Sequence, residues 1–196
     1  MIYLNHSEKS LRFSGKIFPN RFNAFTSWTK NHHFIVFKNG RAAYNALVQS
    51  DADELEILNG LEELGAKAGN NLSVATWEKR ADKTVSEPDR RVEGSLIDVT
   101  LSWEENTRLQ AADIFYFYDR FGKGFQFRFG GHRELMNVWK SGCIVCLQSC
   151  PGGKISNANY TMREYENGTS KFDVKKSILP KDGSPVDIML KVVDES

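Results

Sequence analysis

The sequence predicts an α+β fold: a β-rich single domain over residues 1–196, with one clear amphipathic helix at about 51–64 packed on mostly antiparallel strands. Three observations predict it. Leu55, Leu58, Leu61 and Leu64 recur at helical spacing. Ile97, Val99, Leu101 and Trp103 alternate with Asp98, Thr100 and Ser102, the period of a half-buried strand. Val186, Ile188, Leu190 and Val192 repeat that alternation around Asp187, Met189 and Lys191.

The elements follow in order. "HFIVFKNGRAAYNALVQ" holds two apolar runs joined at Lys38-Asn39-Gly40-Arg41, and Asn-Gly is a hairpin signal because both residues accept positive φ. In the helix that follows, Ser50 is placed to cap the first turn with Asp53 three residues on, and Gly65 supplies the stop. The charged stretch 78–94, "EKRADKTVSEPDRRVEG", lacks helical spacing and reads as a long loop or linker, where a two-lobed organisation would divide. Asp113 to Gly131 reads as two strands around a turn at Asp119–Gly124, with Phe125, Phe127 and Phe129 on one face. Alternating aromatics of this kind fill a sheet core. Lys123–Phe127 overlaps the basic-Gly-aromatic pattern of RNA-binding strands, but fails at its small and aliphatic positions.

Composition narrows the function classes. Hydrophobic residues make up 40% and charged residues 26%, the balance of a globular chain. A formal charge of +1 gives no general attraction to phosphate backbones, so no nucleic-acid partner is expected. No apolar run reaches the length of a membrane span, and "MIYLNHSEKSLRF" lacks the pattern of a signal peptide, so the chain as given reads as soluble. The partner protein, oligomeric state and cellular location are not legible. No Ser-His-Asp order, H-E-x-x-H or nucleophile elbow appears, so no complete catalytic constellation argues for an enzyme.

All three cysteines lie in "GCIVCLQSCPGG". Cys143, Cys146 and Cys150 have C-x2-C-x3-C-P spacing, matching the last three positions of the bacterial ferredoxin run. Lys140 stands where the first ligand belongs, so four thiolates cannot come from this segment. Three readings stay open: buried thiols without a ligand, an iron–sulfur or zinc site on Cys143, Cys146 and Cys150, and a disulfide pair with one free thiol. For zinc, His132 in "GGHRE" is the candidate fourth ligand, with His6, His32 and His33 as further choices. On a helix the three cysteines would share a face; on a strand they could not. Pro151-Gly152-Gly153-Lys154 reads as a tight turn into the strand "KISNANYT", since it lacks the second element of a phosphate loop.

"HFIVFKNGRAAYNALVQSDADELEILNGLEELGAKAG", then "VTLSW" and "SCPGGKISN", resemble the YdjY-domain family over roughly Ile2 to Val193, with Leu64-Gly65-Ala66-Lys67 closing its most specific block. The resemblance implies a small bacterial protein, often exported or lipid-anchored, with a ferredoxin-like label in some members and no established activity. That label would attach to Cys143, Cys146 and Cys150, and the absent thiol at position 140 weighs against it.

Two functions are therefore expected. The first is a non-catalytic binding or accessory module of a bacterial redox or envelope system. The alternative is an iron–sulfur or metal-binding electron-transfer protein using the cysteine segment.

Overall fold

In the computed structural model, which describes residues 1–29, 31–104, 107–117 and 122–195, the chain forms twelve strands: β1 (Tyr3–Asn5), β2 (Ser10–Ile17), β3 (His33–Phe37), β4 (Val48–Ser50), β5 (Leu96–Trp103), β6 (Thr107–Gln110), β7 (Phe115–Phe117), β8 (Phe127–Phe129), β9 (Cys143–Cys146), β10 (Ile155–Asn157), β11 (Phe172–Val174) and β12 (Ser184–Val193). The helices are α1 (Pro19–Thr29), α2 (Glu54–Glu63), α3 (Val74–Glu78), α4 (Ala111–Ile114), α5 (Leu135–Trp139) and α6 (Met162–Asn167). Eight strands close into a barrel, in the order β2-β12-β5-β8-β10-β9-β3-β4, with β4 returning to β2. Neighbours are antiparallel except at β9–β10 and β3–β4, which run parallel. β1 and β6 extend the edges of β2 and β5, and β7 pairs with β11 in a separate ribbon.

The expected α+β arrangement, a helix laid on mostly antiparallel strands, is therefore corrected to a closed β-barrel with short helices. The reason is physical. Alternation records only that one side of each strand is buried, and a barrel interior satisfies that as well as a helix-covered sheet does. Closure is decided by the β2–β4 contact, where a Cβ on Gly15 would lie 2.5 Å from the Gln49 carbonyl oxygen. Gly15 leaves room for the two strands to meet. The interior holds Leu11, Phe13 and Ile17 of β2, Ile97, Val99 and Leu101 of β5, and Val186, Ile188, Leu190 and Val192 of β12 in one cluster. Each such side chain contributes on the order of 2 kcal/mol by leaving water.

α2 occupies part of the span expected for the helix at 51–64 and is only ten residues long. It packs against β2 and β9 instead of forming a layer. Its cap is Asp53, whose side chain accepts from the Glu56 amide while Glu56 accepts from the Asp53 amide. Ser50 instead ends β4 and bonds Ala52. The Asn39-Gly40 turn closes no hairpin, because β3 and β4 are parallel. Arg41 and Ala42 donate to the Lys140 and Ser141 carbonyls, tying this segment to the entry of β9. The first half of the turn expected at Asp119–Gly124 lies outside the described residues. Phe127 and Phe129 are buried in the core, and Phe125 stacks on Phe127 at 5.2 Å.

Candidate metal centre

Regular pleating would send Cys143 and Cys146 to opposite faces of β9. The β3–β9 ladder is irregular: His33 pairs with Cys146, Ile35 with Val145 and Val36 with Cys143. Ile144 is thus an extra residue on β9 and Phe34 an extra residue on β3. Each bulge shifts the parity of its strand by one. Cys143, Cys146 and Val36 consequently join one buried cluster with Cys150, while Ile144 and Phe34 turn into the barrel core.

Cys150 reaches the same cluster through the loop between the parallel strands β9 and β10. Its carbonyl accepts from Gly153 N at 3.2 Å and from Ser156 Oγ at 3.0 Å. A Cβ on Gly153 would stand 2.8 Å from Cys146 Cβ and 2.6 Å from Ser156 Oγ, so only glycine lets this turn fold back on β9. His32 enters from the residue before β3, its carbonyl held by Leu147 N at 2.8 Å. Its ring lies 4.1 Å from His33, 4.7 Å from Tyr165 of α6 and 5.5 Å from Trp77 of α3. The ligand atoms of His32, Cys146 and Cys150 all lie within 4.8 Å of one another, and all three residues are buried.

The electrostatics of this group are those of clustered anionic sulfur. Cys143 is pushed well below the usual thiol range, first by the hydrogen bond from Cys146 and then by His33 and Lys154, against the opposing effect of burial. Cys150 is lowered for the same first reason. Cys146 is raised by burial and by its place between two sulfurs that share its proton. His33 loses basicity to burial but regains more from Cys143 and Cys150, for a net rise. Lys154, 1% exposed, donates to the Gly152 carbonyl at 3.2 Å and adds positive charge facing Cys143 and Cys150. Burial lowers the Lys154 ammonium, and Glu54 and the two thiols draw it back up. Burial raises the Glu54 carboxyl to about 7, with Lys154 opposing.

His132 takes no part in this group. Its Nε2 accepts from the Leu72 amide at 3.1 Å, and burial, followed by the Lys154 charge, holds it down at about 4. His6 is exposed, 3.3 Å from Glu63. The histidine brought to the thiols is His32, with His33 beside Cys143. Lys154, Glu54, Trp77 and Tyr165 complete the surroundings and carried no site signal in sequence. Lys154 read as part of a turn.

Two of the thiols border a cavity of about 380 Å³, lined among others by His33, Cys143, Cys150, Trp77, Trp139 and Arg41. A Cβ on Gly152 would meet the Trp139 ring at 3.1 Å, so the indole lies directly on that glycine.

The donor set suits some ions better than others. A cubane fits poorly: the chain has three cysteines, and a cubane spreads its thiolates over separate irons, whereas these sulfurs are close enough to share a proton. One borderline-soft ion with thiolate and imidazole ligands fits well. About 2.3 Å to each sulfur and about 2.0 Å to nitrogen place donors some 3.5–4 Å apart around a tetrahedral centre.

The closed barrel carrying a buried thiol–imidazole group belongs to the YdjY-domain family, whose model matches residues 2–191. The uncharacterized protein YdjY of Escherichia coli (strain K12) is 31% identical over 163 residues, covering 83% of this chain and 68% of that one. No solved structure matches. Among the described residues, no helix is long and apolar enough to cross a membrane.

Proposed function

We propose that this protein is a non-catalytic binding module that holds one thiophilic cation, zinc in the first instance, on His32, Cys146 and Cys150. One observation carries the reading: the imidazole of His32, just before β3, and the thiols of Cys146 and Cys150 converge within 4.8 Å in a buried site. Gathering thiolates away from water is costly because like charges repel and lose solvation. A divalent cation removes that cost, and the binding energy then adds to folding. Cys143 stands next to Cys146 as the nearest further donor, and Lys154 offsets the excess negative charge of a multi-thiolate site.

The test is metal analysis of the chain purified without oxygen and without chelator, followed by titration of the metal-free form with zinc against a chromophoric competitor. One zinc per chain, lost in Cys146→Ser and in His32→Ala, is the expected result. Fully reduced protein that takes up neither zinc nor cobalt overturns the proposal. Iron together with acid-labile sulfide in multiples per chain overturns the single-ion reading in favour of a cluster.

A further inference from the structure

The cavity beside the thiols has a chemistry of its own. Its volume of about 380 Å³ falls within the span of small-molecule sites, roughly 300–1,000 Å³. Trp77 and Trp139 supply indole surface on its walls, and none of the described residues that line it is acidic. Arg41 also lines it, and its guanidinium has no hydrogen-bond or ion-pair partner among the described residues. Its backbone, in contrast, is fixed by Arg41 N donating to the Lys140 carbonyl at 3.0 Å.

Both tryptophans are held in place. The Arg80 guanidinium lies 4.1 Å from the centre of the Trp77 ring and is itself anchored to Glu166 at 3.0 Å. Trp139 ends α5 and rests on Gly152. A planar guanidinium with a free fork matches a carboxylate in geometry and charge, and rigid indole walls accept a flat apolar body. The cavity thus combines an anion anchor, aromatic walls and two of the thiols in one lining.

We propose that this cavity is a binding site for a small organic carboxylate with a planar apolar body, its carboxylate on Arg41 and its body between Trp77 and Trp139. The site does not depend on the metal reading, because neither the anchor nor the walls are among the proposed ion ligands. Exposed Val138 extends the apolar wall at the rim.

The experiment is a tryptophan-fluorescence and calorimetric titration of the full chain with benzoate, and with benzamide as its neutral isostere, on zinc-loaded and metal-free protein in parallel. Benzoate is expected to bind, and benzamide to bind at least roughly tenfold more weakly, the worth of one charge-assisted bond. Arg41→Ala should weaken benzoate by a similar factor and leave benzamide unchanged, while Arg41→Lys should fall between. Arg41 is exposed, so folding of the variants can be verified by circular dichroism and is expected to be intact. Equal affinity for benzoate and benzamide, no saturable signal with either form of the protein, or indifference to Arg41→Ala overturns the proposal. Benzoate binding by a protein that takes up no zinc would sustain this inference while removing the metal reading. Zinc uptake without benzoate binding would do the reverse.

Discussion

His33 stands opposite Cys146 in the β3–β9 ladder, and Val36 stands opposite Cys143, with one extra residue on each strand between those two pairs. The two bulges place both thiols on the side of β9 that faces Cys150, and put Cys146 between the other two sulfurs. That central position is why Cys146 keeps its proton while Cys143 and Cys150 are eased toward the thiolate.

Cys146→Ala should therefore raise the pKa of Cys143, because the sulfur loses the neighbour whose hydrogen bond is the largest stabiliser of its charge. The rate of iodoacetamide modification of Cys143 in metal-free protein, followed by mass spectrometry across pH, is expected to turn on at higher pH in the variant. An unshifted profile would mean that His33 and Lys154 alone set the thiolate.

Gly40→Ala should damage the site from outside it. A Cβ at position 40 would lie 2.4 Å from the Ser141 carbonyl oxygen and 2.6 Å from Gly142 Cα, both immediately before Cys143. Backbone has to move, at a cost of about 3 kcal/mol. Chemical denaturation should show that loss, and zinc affinity should fall along with it. A variant as stable as the parent would show that the 40–42 and 140–142 segments separate freely.

Glu54 and His132 should give opposing pH dependences. Glu54 has a folded pKa of about 7, above its ordinary 4.5, so its contribution is full below 4.5 and is lost as pH rises through 7. His132 has a folded pKa of about 4, below 6.5, so its contribution is full above 6.5 and is lost as pH falls through 4. Each swing is on the order of 3 kcal/mol, and between about pH 4.5 and 6.5 the two slopes largely cancel. Glu54→Gln should expose a stability that climbs with pH across that window, and His132→Gln one that declines. Denaturation midpoints measured at half-unit steps decide it, and parallel curves for parent and both variants would refute the assignment.

The parts of this molecule that were legible in sequence are those written locally. The alternation at 97–103 and 186–192 marks which side chains turn inward, and the cysteine spacing marks a segment worth inspecting. Barrel closure was illegible because it depends on Gly15 meeting Gln49, two residues whose proximity no local pattern encodes. The thiol geometry was hidden for a related reason. Parity on β9 is reset by a bulge at Ile144, and a bulge in mid-strand leaves no mark in a run of apolar residues. His32 was one of several histidines with no spacing to connect it to Cys150. His132, nearer in sequence and flanked by glycines, is instead used by the Leu72 amide.

Arg163 accounts for the order of the charged stretch that follows α3. From α6 its guanidinium donates to the carbonyls of Arg80 at 3.0 Å, Asp82 at 2.8 Å and Val85 at 2.6 Å, and pairs with Asp89 at 3.4 Å. One planar fork thus gathers a loop that local propensity would leave open, and the same loop follows closely on Trp77 of the cavity wall and includes Arg80, which lies over that ring. Arg163→Ala strands three carbonyls and should lower stability by roughly 2–3 kcal/mol. Hydrogen exchange should accelerate across residues 79–90 well before the barrel strands respond, since the loop contributes little to the core. Arg163→Lys keeps the charge but loses the fork, and should recover only a minor part of the protection. Exchange in 79–90 that stays as slow as in the parent would show that Trp77 and Pro88, and not Arg163, hold the segment.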